Sequence, residues 1–129
     1  MQIFTIILSA LLGANINFKT LPIEESGLNI ATVCQDSLGR LWFGGSDGVV
    51  RYDLNRYEHF KNAAGLENDS PDNSVYHIIC DRKGTVWVAH IGGLSRYDSK
   101  TNSFINYHSP SGAVIRIIEL SPERLLTKK

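Results

Sequence analysis

The sequence is poor in cysteine, in net charge and in long apolar runs, and each shortage excludes a class of protein. Cys34 and Cys80 are the only cysteines among 129 residues, too few for the disulfide framework of a small secreted scaffold. Thirteen basic residues balance thirteen acidic ones, which leaves no electrostatic footprint for nucleic acid or an anionic membrane surface. No apolar run is long enough to span a bilayer. With 43 % hydrophobic residues, the composition predicts one ordinary globular domain.

The first fourteen residues differ from the rest. The segment from Ile3 to Leu12 is apolar apart from two hydroxyl residues, and Gly13 and Ala14 follow it. That is the length of the apolar core of a secretory signal and too short for a transmembrane helix. We therefore predict that residues 1–14 are a signal peptide and that the protein is exported. The alternatives are a first buried strand and a start codon placed slightly wrong.

Two segments of the chain, Asp36–Asp53 and Asp81–Asp98, are near-duplicates that lie 45 residues apart without a gap. Seven of their eighteen aligned positions are identical, namely Asp36/Asp81, Gly39/Gly84, Trp42/Trp87, Gly48/Gly93, Arg51/Arg96, Tyr52/Tyr97 and Asp53/Asp98. A fixed period of about 40 to 50 residues is typical of the blades of a β-propeller.

Each repeat has the pattern of four short strands joined by tight turns. Asp36-x-x-Gly39 fits a type I turn in which the Asp side chain caps its own backbone and the Gly takes a positive φ. Asp47-Gly48 and Gly92-Gly93 are hairpin signals. The predicted strands are 28–35, 40–44, 49–54 and 57–61 in the first repeat, and 74–80, 85–89, 94–98 and 103–107 in the second.

The strands are apolar on both faces, which is typical of sheets packed between other sheets. The small residue two positions after each Trp is expected to leave room for the indole ring. The predicted fold class is therefore all-β, with two four-stranded antiparallel propeller blades and a partial third, an incomplete propeller.

The predicted boundaries follow the repeat: a lead-in at 15–28, blade repeat 1 at 29–62, a link at 63–73, blade repeat 2 at 74–108 and a partial third repeat at 109–129. In the third repeat Val114 to Glu119 corresponds to the first strand, and Arg124 to Thr127 falls where the Trp strand should be. Because a closed propeller needs about four to eight blades, we expect the chain to be an N-terminal fragment of a longer protein.

The blocks Asp36-x-x-Gly-x-Leu-Trp-Phe-Gly…Gly48-x-x-Arg-Tyr-Asp and Asp81-x-x-Gly-x-Val-Trp-Val…Gly93-x-x-Arg-Tyr-Asp resemble the two-component regulator propeller repeats. The lead-in from Phe18 to Asp36 is similar to the segment that opens the first such repeat. The resemblance implies the N-terminal periplasmic sensor region of a hybrid two-component histidine kinase of Bacteroidetes type. The implied partners are an oligosaccharide derived from glycans, the remaining blades of the parent protein and a second copy in a homodimer of the full-length sensor. The kinase of such proteins lies downstream, so no kinase activity is implied here.

Most of the conspicuous side chains are predicted to be structural. Trp42 and Trp87 are expected to pack in the core rather than to stack on sugars, and Trp87→Ala to cost ~3–5 kcal/mol. In the Arg-Tyr-Asp triplets we expect Tyr to be packed, Asp to start the next turn and Arg to lie at the sheet edge, with a ligand contact by the guanidinium as the alternative. Cys34 and Cys80 are expected to be small hydrophobes rather than a disulfide.

His90 is the candidate ligand-binding residue, because it directly precedes the hairpin where the other repeat has Gly45. The four histidines, His59, His77, His90 and His108, lack metal-ligand spacing, so we expect no metal. No phosphate-binding glycine loop, nucleophile elbow or dinucleotide fingerprint is present, so we expect no cofactor, no catalytic residue and no enzyme activity. The alternatives are a fragment of a propeller-type lyase or hydrolase and a non-catalytic interaction scaffold.

Overall fold

The computed structural model describes residues 4–9, 16–21, 29–64 and 73–120, which form three antiparallel sheets. Strands β3 to β6 form one four-stranded sheet in chain order, here called blade 1, and β7 to β10 form a second, blade 2. The predicted fold class is thereby confirmed. The strands are β1 Phe4–Ser9, β2 Ile16–Leu21, β3 Ile30–Gln35, β4 Leu41–Gly45, β5 Gly48–Tyr52, β6 Tyr57–Phe60, β7 Val75–Cys80, β8 Val86–His90, β9 Gly93–Asp98 and β10 Ser103–His108.

The segment predicted to be a signal peptide contains β1, which pairs with β2 in a two-stranded sheet. This pairing agrees with the alternative of a first strand, and removal of residues 1–14 on export stays a prediction. Among the described residues no helix is long and apolar enough to cross a bilayer.

The two Asp-x-x-Gly turns form as predicted. The Asp36 carboxylate Oδ1 accepts hydrogen bonds from the backbone N–H groups of Leu38 and Arg40, at 3.0 and 2.9 Å. Gly39 has a φ of 83°, a conformation that costs glycine little because it has no Cβ. Asp81 makes the equivalent bonds in blade 2, at 2.9 and 2.8 Å. These local interactions end the first strand of each blade and start the second.

The hairpins between the second and third strands begin one residue earlier than predicted. Gly45 pairs with Gly48, so the loop residues are Ser46 and Asp47. In blade 2 the corresponding loop is 91–92. Gly48 closes its hairpin with a φ of 91°, so the glycine is needed at the strand end rather than inside the loop.

The core lies between the two blades. Trp42 and Val49 of blade 1 pack against aliphatic and aromatic side chains of blade 2, the buried members being Val75, Ile78, Val86, Val88 and Tyr97. Trp42 and its neighbour Phe43 point to opposite faces of β4, and both are 0 % exposed. The prediction that the sheets are apolar on both faces is thus confirmed for this strand.

Gly44 makes room for the neighbouring blade rather than for the indole ring. A Cβ at this position would lie 2.5 Å from Val75 Cγ1 of blade 2 and 2.9 Å from Thr32 Cγ2. For Gly44 the predicted reason for a small residue after the Trp was therefore wrong, because the nearest neighbours of such a Cβ are Val75 and Thr32 rather than the indole ring. Gly44 sets how closely blade 2 can approach β4.

The chain after blade 2 runs along that blade without forming the strand predicted at 114–119. The backbone N–H of Val114 donates to the carbonyl of His90 at 3.0 Å, and that of Ile117 donates to His77 Nδ1 at 3.0 Å. In the described residues this segment has no partner strand with which to form a ladder, which explains the missing β-structure. Arg124 to Thr127 lie outside the described residues.

Candidate functional site: a cleft between the blades

A polar cleft opens where the turns of both blades meet at one end of the sheets. Strands β3 and β7 both run toward this end, and β5 and β9 return to it, so four connections gather there. The cleft has a volume of about 450 Å³, and its lining comes from residues 36–38, Arg40, 83–86 and 96–100. A second groove of about 580 Å³ shares Arg40, Tyr97 and Ser99 with it.

The Asp36 carboxylate is the structural centre of the blade 1 side of the cleft. Its Oδ2 accepts the indole N–H of Trp42 at 2.8 Å and the Nε–H of Arg40 at 2.7 Å. Burial alone would raise the pKa of the Asp36 carboxyl, but the hydrogen bonds from Trp42 and Arg40 outweigh it and hold the pKa below its usual value. Asp36 is therefore an anion whose carboxylate oxygens both accept hydrogen bonds from residues of blade 1.

The bond from Asp to Trp is a feature that the sequence analysis missed. Trp87 donates its indole N–H to Asp81 Oδ2 at 2.9 Å, just as Trp42 does to Asp36. The signal was present, since Asp and Trp lie six residues apart in both repeats. This hydrogen bond connects the turn to the Trp strand, because one carboxylate oxygen accepts from the backbone of the turn and the other accepts from the indole ring.

Arg51 joins the two blades. Its Nη1 donates to the Tyr97 hydroxyl at 2.7 Å and to Asn102 Oδ1 at 3.0 Å, both in blade 2. Its Nη2 forms an ion pair with Glu58 of its own blade, and the guanidinium carbon lies 5.4 Å from the centre of the Trp42 ring. A guanidinium is suited to this place because it can donate several hydrogen bonds and stack on aromatic faces at once.

The predicted roles of Tyr52 and Asp53 in the first Arg-Tyr-Asp triplet are confirmed, since Tyr52 is buried and Asp53 forms a turn. The place predicted for Arg51 was wrong, because β5 is an inner strand of blade 1 and not its edge. The Asp53 Oδ1 accepts from the backbone N–H groups of Asn55 and Arg56, at 3.1 and 3.0 Å, so Asp53 starts the next turn. Arg96 of the second triplet is different. It bonds to the hydroxyl of Tyr107, which raises the pKa of Arg96, and it lines the cleft.

His90, the candidate from the sequence, lies at the opposite end of the sheets from the cleft. It is 0 % exposed. Its Nδ1 accepts the backbone N–H of Gly92 at 3.1 Å, so Nε2 carries the proton and donates to Ser95 Oγ at 2.7 Å. Ser95 Oγ in turn donates to the carbonyl of Ala63 at 2.6 Å. Burial lowers the pKa of His90 to about 4. A ligand contact at His90 stays a prediction.

Two other histidines, His59 and His77, make structural contacts. His59 Nε2 lies 2.7 Å from the carbonyl of Asp47, and His77 bonds to the chain after blade 2. Over 29–64 and 73–120, together with the two short N-terminal strands, no three His, Cys, Asp or Glu side chains are grouped to hold a metal ion.

The sequence pattern of the two component regulator propeller family matches residues 24–47 and 69–92. Each match contains the first strand, the Asp-x-x-Gly turn and the Trp strand of one blade. Two segments of the chain, one in each blade, thus match the two component regulator propeller repeat. Both matched segments contain the Asp and the Trp that are joined by a hydrogen bond in each blade.

Solved structures of propeller proteins from B. thetaiotaomicron are similar to the two blades. The extracellular domain of the hybrid two component system BT4673 is 26 % identical with a TM-score of 0.52, covering 62 % of this chain and 11 % of that one. A second structure of BT4673, described as a one component system, is 27 % identical with a TM-score of 0.51 over the same shares. The extracellular domain of BT3049, at 24 % identity and a TM-score of 0.51, covers 67 % of this chain and 13 % of that one, and shows the fold alone. This chain thus spans only about a tenth of those domains, and no curated protein matches it.

Proposed function

We propose that the chain supplies two adjacent blades of a ligand-sensing propeller in the periplasmic part of a hybrid two-component regulator. The repeats and the likeness to extracellular domains of such systems support this. The observation that carries the proposal is the cleft at the blade junction, a concave polar surface held by Asp36 and Arg51. Such a surface suits recognition of a ligand, so we assign the chain a sensing role rather than a catalytic one.

The charge of the cleft favours an acidic oligosaccharide as the ligand. Asp36 is paired with Arg40, and Arg96 shares the face of Trp87, which points away from blade 1, so the remaining charged residues of the lining are Lys83, Lys100 and Asp98. Two cations against one carboxylate attract an anion, and Lys forms strong charge-assisted bonds to carboxylates. A saccharide carrying uronate groups would meet these cations, while its hydroxyl groups would meet the polar turn residues.

Calorimetric titration of the chain with an acidic oligosaccharide and a neutral one of equal length tests this proposal. We expect the acidic saccharide to bind more tightly, and the double variant Lys83→Ala with Lys100→Ala to lose about tenfold or more in affinity, since a hydrogen bond to a charged group contributes ~1.5–3 kcal/mol. Lys61→Ala is the matched control, because Lys61 is a 66 % exposed cation at the opposite end of the sheets. Equal binding of both saccharides, or equal losses in the cleft and control variants, would contradict the proposal.

A further inference from the structure

Cys34 and Cys80 meet across the interface between the blades. Cys34 lies in β3 of blade 1 and Cys80 in β7 of blade 2. Both side chains pack against the same cluster of buried residues at the interface, and each thiol is the main influence on the pKa of the other. Both are free thiols in the structure.

The one-residue offset of the cysteines from the repeat is what brings them together. Cys34 is aligned with Ile79, and Cys80 with Gln35. Successive side chains of a strand point to opposite faces of the sheet. Cys34 is opposite Trp42 and shares its face toward blade 2, whereas Ile79 is opposite Trp87 and shares that residue's face away from blade 1. A cysteine at the repeat-equivalent position 79 would therefore point away from Cys34.

The strands that carry the cysteines are fixed against each other close by. The backbone N–H of Ile78 donates to Thr32 Oγ1 at 3.1 Å across the same interface. Cys34 and Cys80 each follow those residues by two positions and so point to the same interface. The positions of the two cysteines are thus fixed by the bond between Ile78 and Thr32, two residues before each of them, and by the core around them.

The surroundings of the pair make the two sulfurs unequal. Interaction with the Cys80 thiol, together with burial, raises the pKa of the Cys34 thiol. The same interaction lowers the pKa of Cys80 against the effect of its burial. Cys80 is therefore the sulfur that loses its proton first, and the thiolate is the form that attacks a disulfide.

We propose that Cys34 and Cys80 are a modification site, at which thiol–disulfide exchange forms a bond that locks blade 1 to blade 2. The oxidant is a small disulfide such as glutathione disulfide. The Cys80 thiolate attacks one of its sulfurs and expels a thiolate, and Cys34 then attacks Cys80 Sγ in the mixed disulfide and expels the second. The two protein thiols are oxidised, the reagent is reduced to two thiols, and these take up the two protons. An exported protein meets the oxidising compartment in which such bonds persist.

The bond would close a loop that contains the rest of blade 1 and the link to blade 2. A loop of this length restricts the unfolded chain substantially, so the ratio of folded to unfolded protein is expected to rise by roughly thirty-fold to a thousand-fold. The change does not depend on any ligand, so its failure would leave the proposed sensing function in place.

Peptide mapping of the full chain after equilibration with glutathione disulfide tests the proposal. Free thiols are blocked by alkylation before digestion, and mass spectrometry is expected to find a peptide in which Cys34 is joined to Cys80. Persistent alkylation of both cysteines, a mixed disulfide with glutathione as the end product, or only bonds between chains would overturn it.

A swapped variant gives the matched control. Ile79→Cys with Cys80→Ile keeps the composition and the loop length but turns the second thiol to the other face of β7. In native buffer the wild type is expected to cross-link and the swapped variant to remain reduced, whereas in urea both should cross-link to the same extent. Equal cross-linking of the two proteins in native buffer would show that the interface does not select the pair, and would refute the inference.

Discussion

The two tryptophans occupy equivalent positions in the repeat but not in the structure, and this difference gives the most direct test of blade stacking. Trp42 is 0 % exposed and its ring centre lies 4.7 Å from that of Tyr97 and 5.8 Å from that of Phe60. Trp87 is only partly buried, and its ring centre lies 6.4 Å from that of Tyr107. Trp42 faces blade 2, and Trp87 faces away from blade 1.

We therefore expect Trp42→Ala to cost about 5 kcal/mol, the upper end of the range for truncating a buried aromatic. It removes both the ring packing and a hydrogen-bond donor to the buried Asp36 carboxylate. Trp87→Ala should cost about half as much, because part of its ring already contacts water and less apolar area is lost. This value for Trp87 is below the ~3–5 kcal/mol predicted from the sequence.

Urea unfolding followed by far-ultraviolet circular dichroism measures both free energies of unfolding by linear extrapolation. Each variant keeps one tryptophan, whose fluorescence provides a second probe of the same transition. Trp42→Phe, which retains a ring but loses the indole N–H, should fall between the wild type and Trp42→Ala. Equal losses in the two alanine variants, or a larger loss in Trp87→Ala, would refute the stacking argument.

Three further predictions rest on single residues. The pKa of His90 is about 4 in the folded protein, against an ordinary value of 6.5. The contribution of His90 to the free energy of unfolding is therefore fully present above pH 6.5 and falls by roughly 3 kcal/mol as the pH drops toward 4. In urea titrations at several pH values His90→Gln should remove that dependence on pH, and an unchanged dependence would contradict the assignment. Gly93→Ala should lower the free energy of unfolding by at least about 3 kcal/mol, because its Cβ would lie 2.3 Å from a backbone oxygen of the next strand. Gly112→Ala is the control: its φ is 93° but the space around it is open, so it should cost about 1 kcal/mol. Similar melting temperatures for the two variants would disprove this. Thr32→Val removes the acceptor of the Ile78 N–H and should lower the free energy of unfolding by ~1–3 kcal/mol. The backbone amide of Ile78 should then exchange its hydrogen faster, and an unchanged exchange rate would contradict the prediction.

Features that depend on residues close together in the chain could be predicted from the amino-acid sequence. The turn at Asp36 needs only its own carboxylate, two nearby N–H groups and a glycine at position 39, so its type and place were predictable. The number and order of strands within the two blades followed from the period and from such turns, whereas the strand predicted at 114–119 did not form. The boundary errors at the hairpins were one residue, because Gly48 is compatible with either position.

Which face of each sheet meets which neighbour depends on how the two blades pack together. Alternation along a strand shows which side chains share a face, but not what covers that face, and the contacts of Gly44, Arg51 and Cys34 include residues of the other blade. The cleft likewise combines turns that lie 45 residues apart, so no local pattern predicted it, and His90 was chosen instead. Stacking brings distant strands into contact while leaving their local hydrogen bonds unchanged, and for this reason the blades were predictable and the site between them was not.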